Sequence, residues 1–454
     1  MAIKSINPST KKVEKVFEEY SLEIVFNLID DVQNAFQYWK ETSFYERSIL
    51  MKNVAKILKE NKREYAKIIV TEMGKPITQA ISEIEKCAWV CEYYSENAED
   101  FLQKEYIQTD ASESYIQFDP LGIIFAIMPW NFPFWQVFRF AVPALMAGNA
   151  CLLKHASNVP MCALAIEKIF KDAQFPQNLF RTVLINPSDV EEIINHPKVK
   201  AVTLTGSEYA GRQVAGYCGK FLKKSVMELG GSDPFIILED ADIDLAVKTG
   251  VNARLINNGQ SCIAAKRFIV VEKVYDEFEK KFVDLMSKVK VGNPMEETTE
   301  LGPIAREDLL IELEYQVKNS VENGAVILCG GKRIDSESLF FEPTVLANVK
   351  KGMPAYEEEI FGPVAALIKV KDDNEAIEIA NDTKYGLGAS LWTNNIEKAR
   401  KLARQIEAGS VFINGMVKSD PRLPFGGVKN SGYGRELSHY GIKEFVNIKT
   451  VWIR

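Results

Sequence analysis

The sequence predicts an α/β protein of two lobes, each built on a parallel sheet, with a small β arm. Three observations carry this. From Asp119-Pro120 onward, short β-rich apolar runs alternate with stretches of helical period, the pattern of successive βαβ units. A second series of the same kind opens after Gly230-Gly231, which marks the boundary between lobes. Two further segments fit neither series: "EYIQTDASESYIQF" (105–118) reads as a polar hairpin, and "EFVNIKTVWIR" (444–454) as a terminal strand with no evident partner, open to pairing with another subunit.

The elements follow in order. The opening "MAIKSINPSTKKVEKVFEEY" lacks the apolar core of a signal peptide. Residues 22 to about 100 repeat apolar positions at three- and four-residue steps with charges between, which predicts successive amphipathic helices. In the first lobe "GIIFAIM", "ACLLK", "FRTVLI" and "AVTLT" read as strands, with "WQVFRFAVPALMAG" and "MCALAIEKIFKDA" as helices. In the second lobe the strands are "FIIL", "RFIVV", "GAVILCGG", "AALIKV" and "GSVFIN", with helices at "VYDEFEKKFVDLMSKVK" and "NEAIEIANDT". The most apolar stretch, 120–154, is interrupted by Pro129, Asn131, Pro133, Arg139 and Pro143, whereas a bilayer helix needs about 20 clean apolar residues.

Composition narrows the function. At 454 residues, 46% hydrophobic and 26% charged, the chain is an ordinary globular sequence with room for a large core. A formal net charge of −7 gives no global attraction to nucleic acid or anionic membrane, so small-molecule chemistry leads. The seven cysteines form no CxxC pair, which argues against both a disulfide framework and a metal site. Free thiols and no leader point to the cytoplasm.

Four stretches could carry chemistry. In "NNGQSCIAAKRF" (257–268) a Gly-Gln-Ser run could turn tightly ahead of Cys262 and free a backbone N–H to face an oxyanion; a buried, inert thiol is the plain alternative. None of the three histidines, His155, His196 and His439, has a context that makes it a thiol's partner. In "VMELGGSDPFIIL" (226–238) Glu228 falls at a strand end before a sharp turn, a setting that raises a carboxyl's pKa and suits a general base; a turn cap or a lysine partner would explain it equally. In "MPWNFPFWQVFR" (128–139) aromatic residues crowd Asn131, whose amide is a neutral donor suited to an oxyanion, or simply a satisfied buried asparagine. In "AVTLTGSEYAGRQV" (201–214) a strand runs into Gly206-Ser207 at a helix N-terminus, a phosphate site in principle, although the G-x-G-x-x-G spacing is absent.

The order of "PWNFP", "GNACLLK", "TGS", "ELGG", "NNGQSC", "EEIFGPV" and "PFGGVKNSGYGRE" resembles the aldehyde dehydrogenase superfamily over nearly the whole chain, and the later segments resemble its short bacterial and archaeal succinate-semialdehyde branch. The resemblance implies a variant Rossmann cofactor lobe (1–102 and 120–229), a catalytic lobe (230–432) and an oligomerisation arm (103–119 and 433–454). It further implies that Cys262 attacks the aldehyde, that Asn131 and the Cys262 N–H hold the oxyanion, and that Glu228 activates the water that releases a carboxylic acid. For NAD or NADP it implies Lys154 and Ser157 at the adenosine ribose, Gly206 and Ser207 near the pyrophosphate, and Glu359 with Phe361 at the nicotinamide ribose. Trp130, Glu228, Leu229 and Gly230 complete that set. Trp135, Arg139, Ser261 and Phe425 are the implied substrate contacts.

Departures from the family pattern matter. Many NAD-preferring members have a glutamate where "KHAS" has Ser157; its loss removes a clash with a 2'-phosphate and admits NADP. His155 stands in place of the usual proline. Arg139 lies where succinate-semialdehyde enzymes place an arginine for the distal carboxylate, but their second arginine is Ile256 here, which keeps glyceraldehyde and lactaldehyde open. Acyl transfer to coenzyme A is disfavoured by Glu228, and a non-catalytic structural protein of this fold by the complete Cys262, Glu228 and Asn131 set. The resemblance implies a homodimer or homotetramer whose C-terminal strand adds to a neighbour's sheet.

Overall fold

The computed structural model describes residues 2–454. Four helices, Leu22–Trp39, Phe44–Glu60, Lys62–Met73 and Ile77–Phe101, fill the region where helical periodicity is strongest. Ser43 and Glu46 close a capping box on the second of them, satisfying N–H groups that the first turn leaves open. Before these helices lies an antiparallel hairpin, Ala2–Ile6 with Val13–Glu18, which sequence reading left unassigned because its second strand is largely exposed and charged.

The first lobe holds a six-stranded sheet in the order Gly432–Tyr433, Lys224–Glu228, Val199–Thr205, Ile123–Met128, Ala150–His155, Phe180–Thr182. All neighbours are parallel except the short Gly432–Tyr433, which returns antiparallel beside Lys224–Glu228. Its central strands are buried on both faces, as expected of continuous apolar runs under helices. The second lobe holds a seven-stranded sheet in the order Val326–Cys329, Thr344–Ala347, Val364–Val370, Arg267–Val271, Pro234–Ile237, Gly388–Trp392, Ser410–Ile413. The chain passes from the first sheet to the second through residues 229–233.

Several expectations need correction. Thr344–Ala347 and Gly388–Trp392 are strands that sequence reading left unassigned. Val326–Cys329 pairs antiparallel at an edge, outside the parallel series it was read into. The tail strand has a partner within its own chain: Val446–Ile453 pairs antiparallel with Glu113–Pro120, residue for residue from Val446↔Pro120 to Ile453↔Glu113, and Glu105–Tyr106 completes a three-stranded arm. The tail strand, read as 444–454, spans Val446–Ile453, and the residues before it fold onto the first lobe. There the Ser438 carbonyl accepts from Tyr94 Oη at 2.9 Å and the Phe445 carbonyl from Asn149 Nδ2 at 2.9 Å. No helix among the described residues is long and apolar enough to cross a membrane.

Candidate active site

The loop that delivers Cys262 follows helix Ile243–Leu255 and turns through three successive left-handed residues, Asn257 (φ 56°), Asn258 (φ 60°) and Gly259 (φ 74°). Asparagine tolerates that region. Gly259 must be glycine on space as well, since a Cβ there would lie 2.3 Å from the Gly362 carbonyl carbon. The polar side chains of the motif then act as a frame. Asn258 Nδ2 donates to the carbonyls of Gly74 (2.9 Å) and Pro303 (3.0 Å), and its Oδ1 accepts from the Gly302 N–H at 2.7 Å. Gln260 Oε1 accepts from the Ala305 N–H at 3.0 Å. Beyond the nucleophile, the buried ammonium of Lys266 folds back and donates to the carbonyls of Ser261 (2.9 Å), Cys262 (2.8 Å) and Ala264 (3.2 Å). Sequence reading found the tight turn but missed Asn257, Asn258 and Lys266; Asn-Asn-Gly is itself a left-handed turn signal.

Asn131 is joined to this loop directly. Its Nδ2 donates to the Gln260 carbonyl at 3.1 Å, and Asn257 Nδ2 bridges the Asn131 carbonyl (2.7 Å) and the Gln260 carbonyl (2.8 Å). One Nδ2 proton of Asn131 remains available. The loop carrying Asn131 is held from behind by His155, whose Nε2 lies 2.8 Å from the Pro133 carbonyl while Nδ1 accepts from the Ala156 N–H at 3.0 Å. Nδ1 also lies 3.2 Å from the Met128 carbonyl, so the ring is held between two carbonyls and an N–H; burial pushes its pKa down to about 4. The histidine in place of proline is therefore a brace for the asparagine loop.

Glu228 ends strand Lys224–Glu228, buried with both carboxyl oxygens lacking a hydrogen-bond partner. Burial first, then the Glu436 carboxylate, hold its pKa well above the usual range. The turn after it brings the two lobes together: a Cβ on Gly231 would lie 2.8 Å from the Cys262 carbonyl oxygen. Burial likewise pushes the Cys262 thiol up to about 12, against the opposing fields of Arg139 and Lys266. Cys262 is half-buried; all seven cysteines are free, and five of the others are fully buried. Asn131 is thus hydrogen-bonded to the loop that carries Cys262, and the turn after the unpartnered Glu228 packs against the Cys262 carbonyl; a thiol, a neutral donor and a carboxyl are the groups that acyl transfer through a thioester needs.

Arg139 is engaged within the chain. Its buried guanidinium is ion-paired with Glu436, donates to Thr205 Oγ1 at 3.3 Å and lies 4.5 Å from the Phe425 ring centre. The charge expected to meet a substrate carboxylate is already answered inside the chain. Trp135 Nε1 donates to Ser419 Oγ at 3.0 Å, and Ser261 is wholly buried with its hydroxyl unpartnered.

The chain matches the Aldehyde dehydrogenase family over residues 1–451. It belongs to that family. A Synechocystis protein named "Probable succinate-semialdehyde dehydrogenase [NADP(+)]" is 51% identical over 453 residues, with 100% of each chain covered. "Succinate-semialdehyde dehydrogenase [NADP(+)] 1" of Mycobacterium bovis is 48% identical over 456 residues, again with 100% of each covered. Among solved structures, the succinic semialdehyde dehydrogenase of Streptococcus pyogenes in complex with NADP+ superposes at TM-score 0.97, with 38% identity and 100% of both chains covered.

In this aldehyde dehydrogenase the residues expected at the cofactor gather at the C-terminal ends of the first-lobe strands, where open α/β sheets bind ligands. Trp130 follows strand Ile123–Met128 and meets Phe361 edge-on at 5.8 Å between ring centres. Lys154 is the penultimate residue of strand Ala150–His155; Gly206, whose N–H donates to the Glu228 carbonyl at 3.0 Å, precedes Ser207, the N-cap of helix Glu208–Lys220. Leu229 fills the space that a Cβ on Gly211 would take. Glu359 accepts from the Gly231 N–H at 3.0 Å, and its carboxylate packs against Gly230, where a Cβ would lie 2.3 Å from it. Lys154 is buried with no hydrogen bond or ion pair, and burial lowers its pKa to about 8; Ser157 nearby in the chain is exposed. An uncompensated ammonium with no acid at 157 fits an anionic dinucleotide, a 2'-phosphate included.

Proposed function

We propose that this chain is an NADP-dependent succinate-semialdehyde dehydrogenase, oxidising the aldehyde to the acid. The observation that carries the mechanism is the hydrogen-bonded union of the Asn131 and Cys262 loops facing an unpartnered Glu228. The naming of relatives at about half identity over full length supports the substrate and cofactor. Cys262 adds to the aldehyde carbon; the Asn131 amide and the Cys262 N–H hold the resulting oxyanion. When bound, the nicotinamide supplies the hydride acceptor. Glu228 takes a proton from the water that hydrolyses the acyl group off Cys262, a role its raised pKa suits. Lys154, Ser157, Gly206, Ser207, Glu359 and Phe361 hold the cofactor, with residues 1–102 and 120–229 as its lobe and 230–432 as the catalytic lobe.

A second reading, glyceraldehyde or lactaldehyde as substrate, draws support from Arg139 being tied to Glu436 and from the apolar Ile256. Initial rates with succinic semialdehyde, glyceraldehyde, lactaldehyde and butanal, each with NADP and NAD, decide between them. We expect kcat/KM highest for succinic semialdehyde with NADP; a clear preference for either hydroxyaldehyde overturns the substrate assignment. We further infer a homodimer or homotetramer built through the arm, since Val446–Ile453 has one edge unpaired and Ile448 and Trp452 are 59% and 50% exposed. A monomer in light scattering at micromolar concentration would contradict this. Seven free thiols support a reducing, cytoplasmic setting.

A further inference from the structure

One buried ammonium holds the loop that carries Cys262. We propose that Lys266 is a positioning residue for the oxyanion: it fixes the Ser261–Cys262 peptide so that the Cys262 N–H faces the oxygen of the bound aldehyde. The inference rests on Cys262 being the nucleophile, as read above. Gln260, Ser261 and Cys262 present three successive carbonyls, and each is taken by a side chain. The Gln260 carbonyl accepts from Asn131 Nδ2 (3.1 Å) and Asn257 Nδ2 (2.8 Å), and those of Ser261 and Cys262 accept from Lys266 Nζ at 2.9 and 2.8 Å. A trans peptide sets its C=O and N–H on opposite sides of the chain. Turning the Ser261 carbonyl to Lys266 therefore turns the Cys262 N–H away from it. Among the described residues that N–H meets no acceptor, so it is free for the oxyanion.

Lys266 suits this role better than a neutral donor. An ammonium has three N–H groups, and all three are used, the third on the Ala264 carbonyl at 3.2 Å. Its own backbone is fixed at the entry to the buried strand Arg267–Val271: the N–H donates to the Asp233 carbonyl at 3.1 Å and the carbonyl accepts from the Ala366 N–H at 3.0 Å. The loop ahead of it needs such a clamp, since Asn257, Asn258 and Gly259 are left-handed and the buried Ser261 hydroxyl has no partner. With the ammonium gone, the Cys262 and Ala264 carbonyls would lose their donor, and the Ser261 carbonyl would keep only the Ala264 N–H at 3.1 Å. Buried carbonyls without donors are costly, and turning the peptide relieves them. The role is geometric rather than electrostatic. Glu359 lies 3.6 Å from Nζ, and at the thiol its field opposes those of Arg139 and Lys266. Seen from the sulfur, ammonium and carboxylate offset each other, so what Lys266 chiefly controls is the backbone.

The test separates reactions of Cys262 that form an oxyanion from one that does not. Oxidation of succinic semialdehyde and hydrolysis of p-nitrophenyl acetate both begin with addition of sulfur to a carbonyl, which puts the C=O electron pair on oxygen. Alkylation by iodoacetamide displaces iodide at a saturated carbon and places no charge on oxygen. Lys266→Met should lower kcat for oxidation and for ester hydrolysis about ten- to hundredfold, yet leave alkylation, followed on the Cys262 peptide by mass spectrometry, within about threefold. The KM for NADP should move far less than kcat, because Glu359 keeps its bond from the Gly231 N–H. Lys266→Gln, one atom shorter but still a donor, should fall between. Melting temperature shows that each variant is folded in the assay; should Lys266→Met not be, Lys266→Gln carries the comparison. Alkylation that slows in step with oxidation, or speeds markedly as a loosened site would give, overturns the proposal, as does an unchanged rate of oxidation. Semialdehyde oxidation by wild type that the variants keep sinks Lys266 and leaves the function standing. Wild type that oxidises no aldehyde, yet hydrolyses the ester in a manner dependent on both Cys262 and Lys266, sinks the function and upholds the positioning role.

Discussion

The reacting centre and the cofactor end of the site are built on opposite electrostatic plans. At the centre, Asn131, Cys262 and Glu228 are buried or half-buried, and burial pushes the pKa values of the thiol and the carboxyl up. The loops there are fastened by neutral hydrogen bonds and by Lys266, a buried cation whose charge is met by Glu359 at 3.6 Å and three carbonyls. Away from it stands Lys154, a buried cation that no carboxylate among the described residues answers. The difference teaches that this fold closes its own charges where it needs rigidity and leaves them open where an anionic ligand will close them.

Removing the nucleophile is the largest way to break that division. Cys262→Ser should lower aldehyde oxidation by more than about a thousandfold in steady-state assays while leaving cofactor affinity intact, because the cofactor-end lysine is untouched. Glu228→Gln should lower steady-state turnover by about a hundredfold or more yet still release one equivalent of reduced cofactor in a burst, since only deacylation needs the base. Lys154→Met, at the charged end, should raise the KM for NADP about ten- to hundredfold and leave kcat nearly unchanged, read from NADP titrations at saturating aldehyde.

A smaller effect tests the brace behind the centre. His155→Ala removes the bond to the Pro133 carbonyl and should cost about 2 kcal/mol in denaturant unfolding. The wild-type protein should also lose stability as pH falls from 6.5, the ordinary value, towards about 4, where the folded ring titrates. In that window the unfolded chain binds the proton and the folded one does not, worth about 3 kcal/mol in all. The variant should lack this component of the acid limb.

Local patterns carried much of the fold and of the site. Strands such as Ile123–Met128 and Arg267–Val271 are short apolar runs that a parallel sheet buries on both faces, and they are legible for that reason. Cys262, Asn131 and Glu228 stood out through the order of their motifs. What escaped was whatever depends on distant partners. The tail strand's pairing with Glu113–Pro120 and the engagement of Arg139 by Glu436 join segments from opposite ends of the chain, and no local period records them.

The central claim, that Cys262 carries the acyl group of an oxidised semialdehyde, is tested most directly by intact and peptide mass spectrometry of Glu228→Gln mixed with NADP and succinic semialdehyde. The account requires one succinyl adduct per chain, on the peptide holding Cys262 and absent from Cys262→Ser. No adduct, or an adduct on any of the other six cysteines, would contradict it.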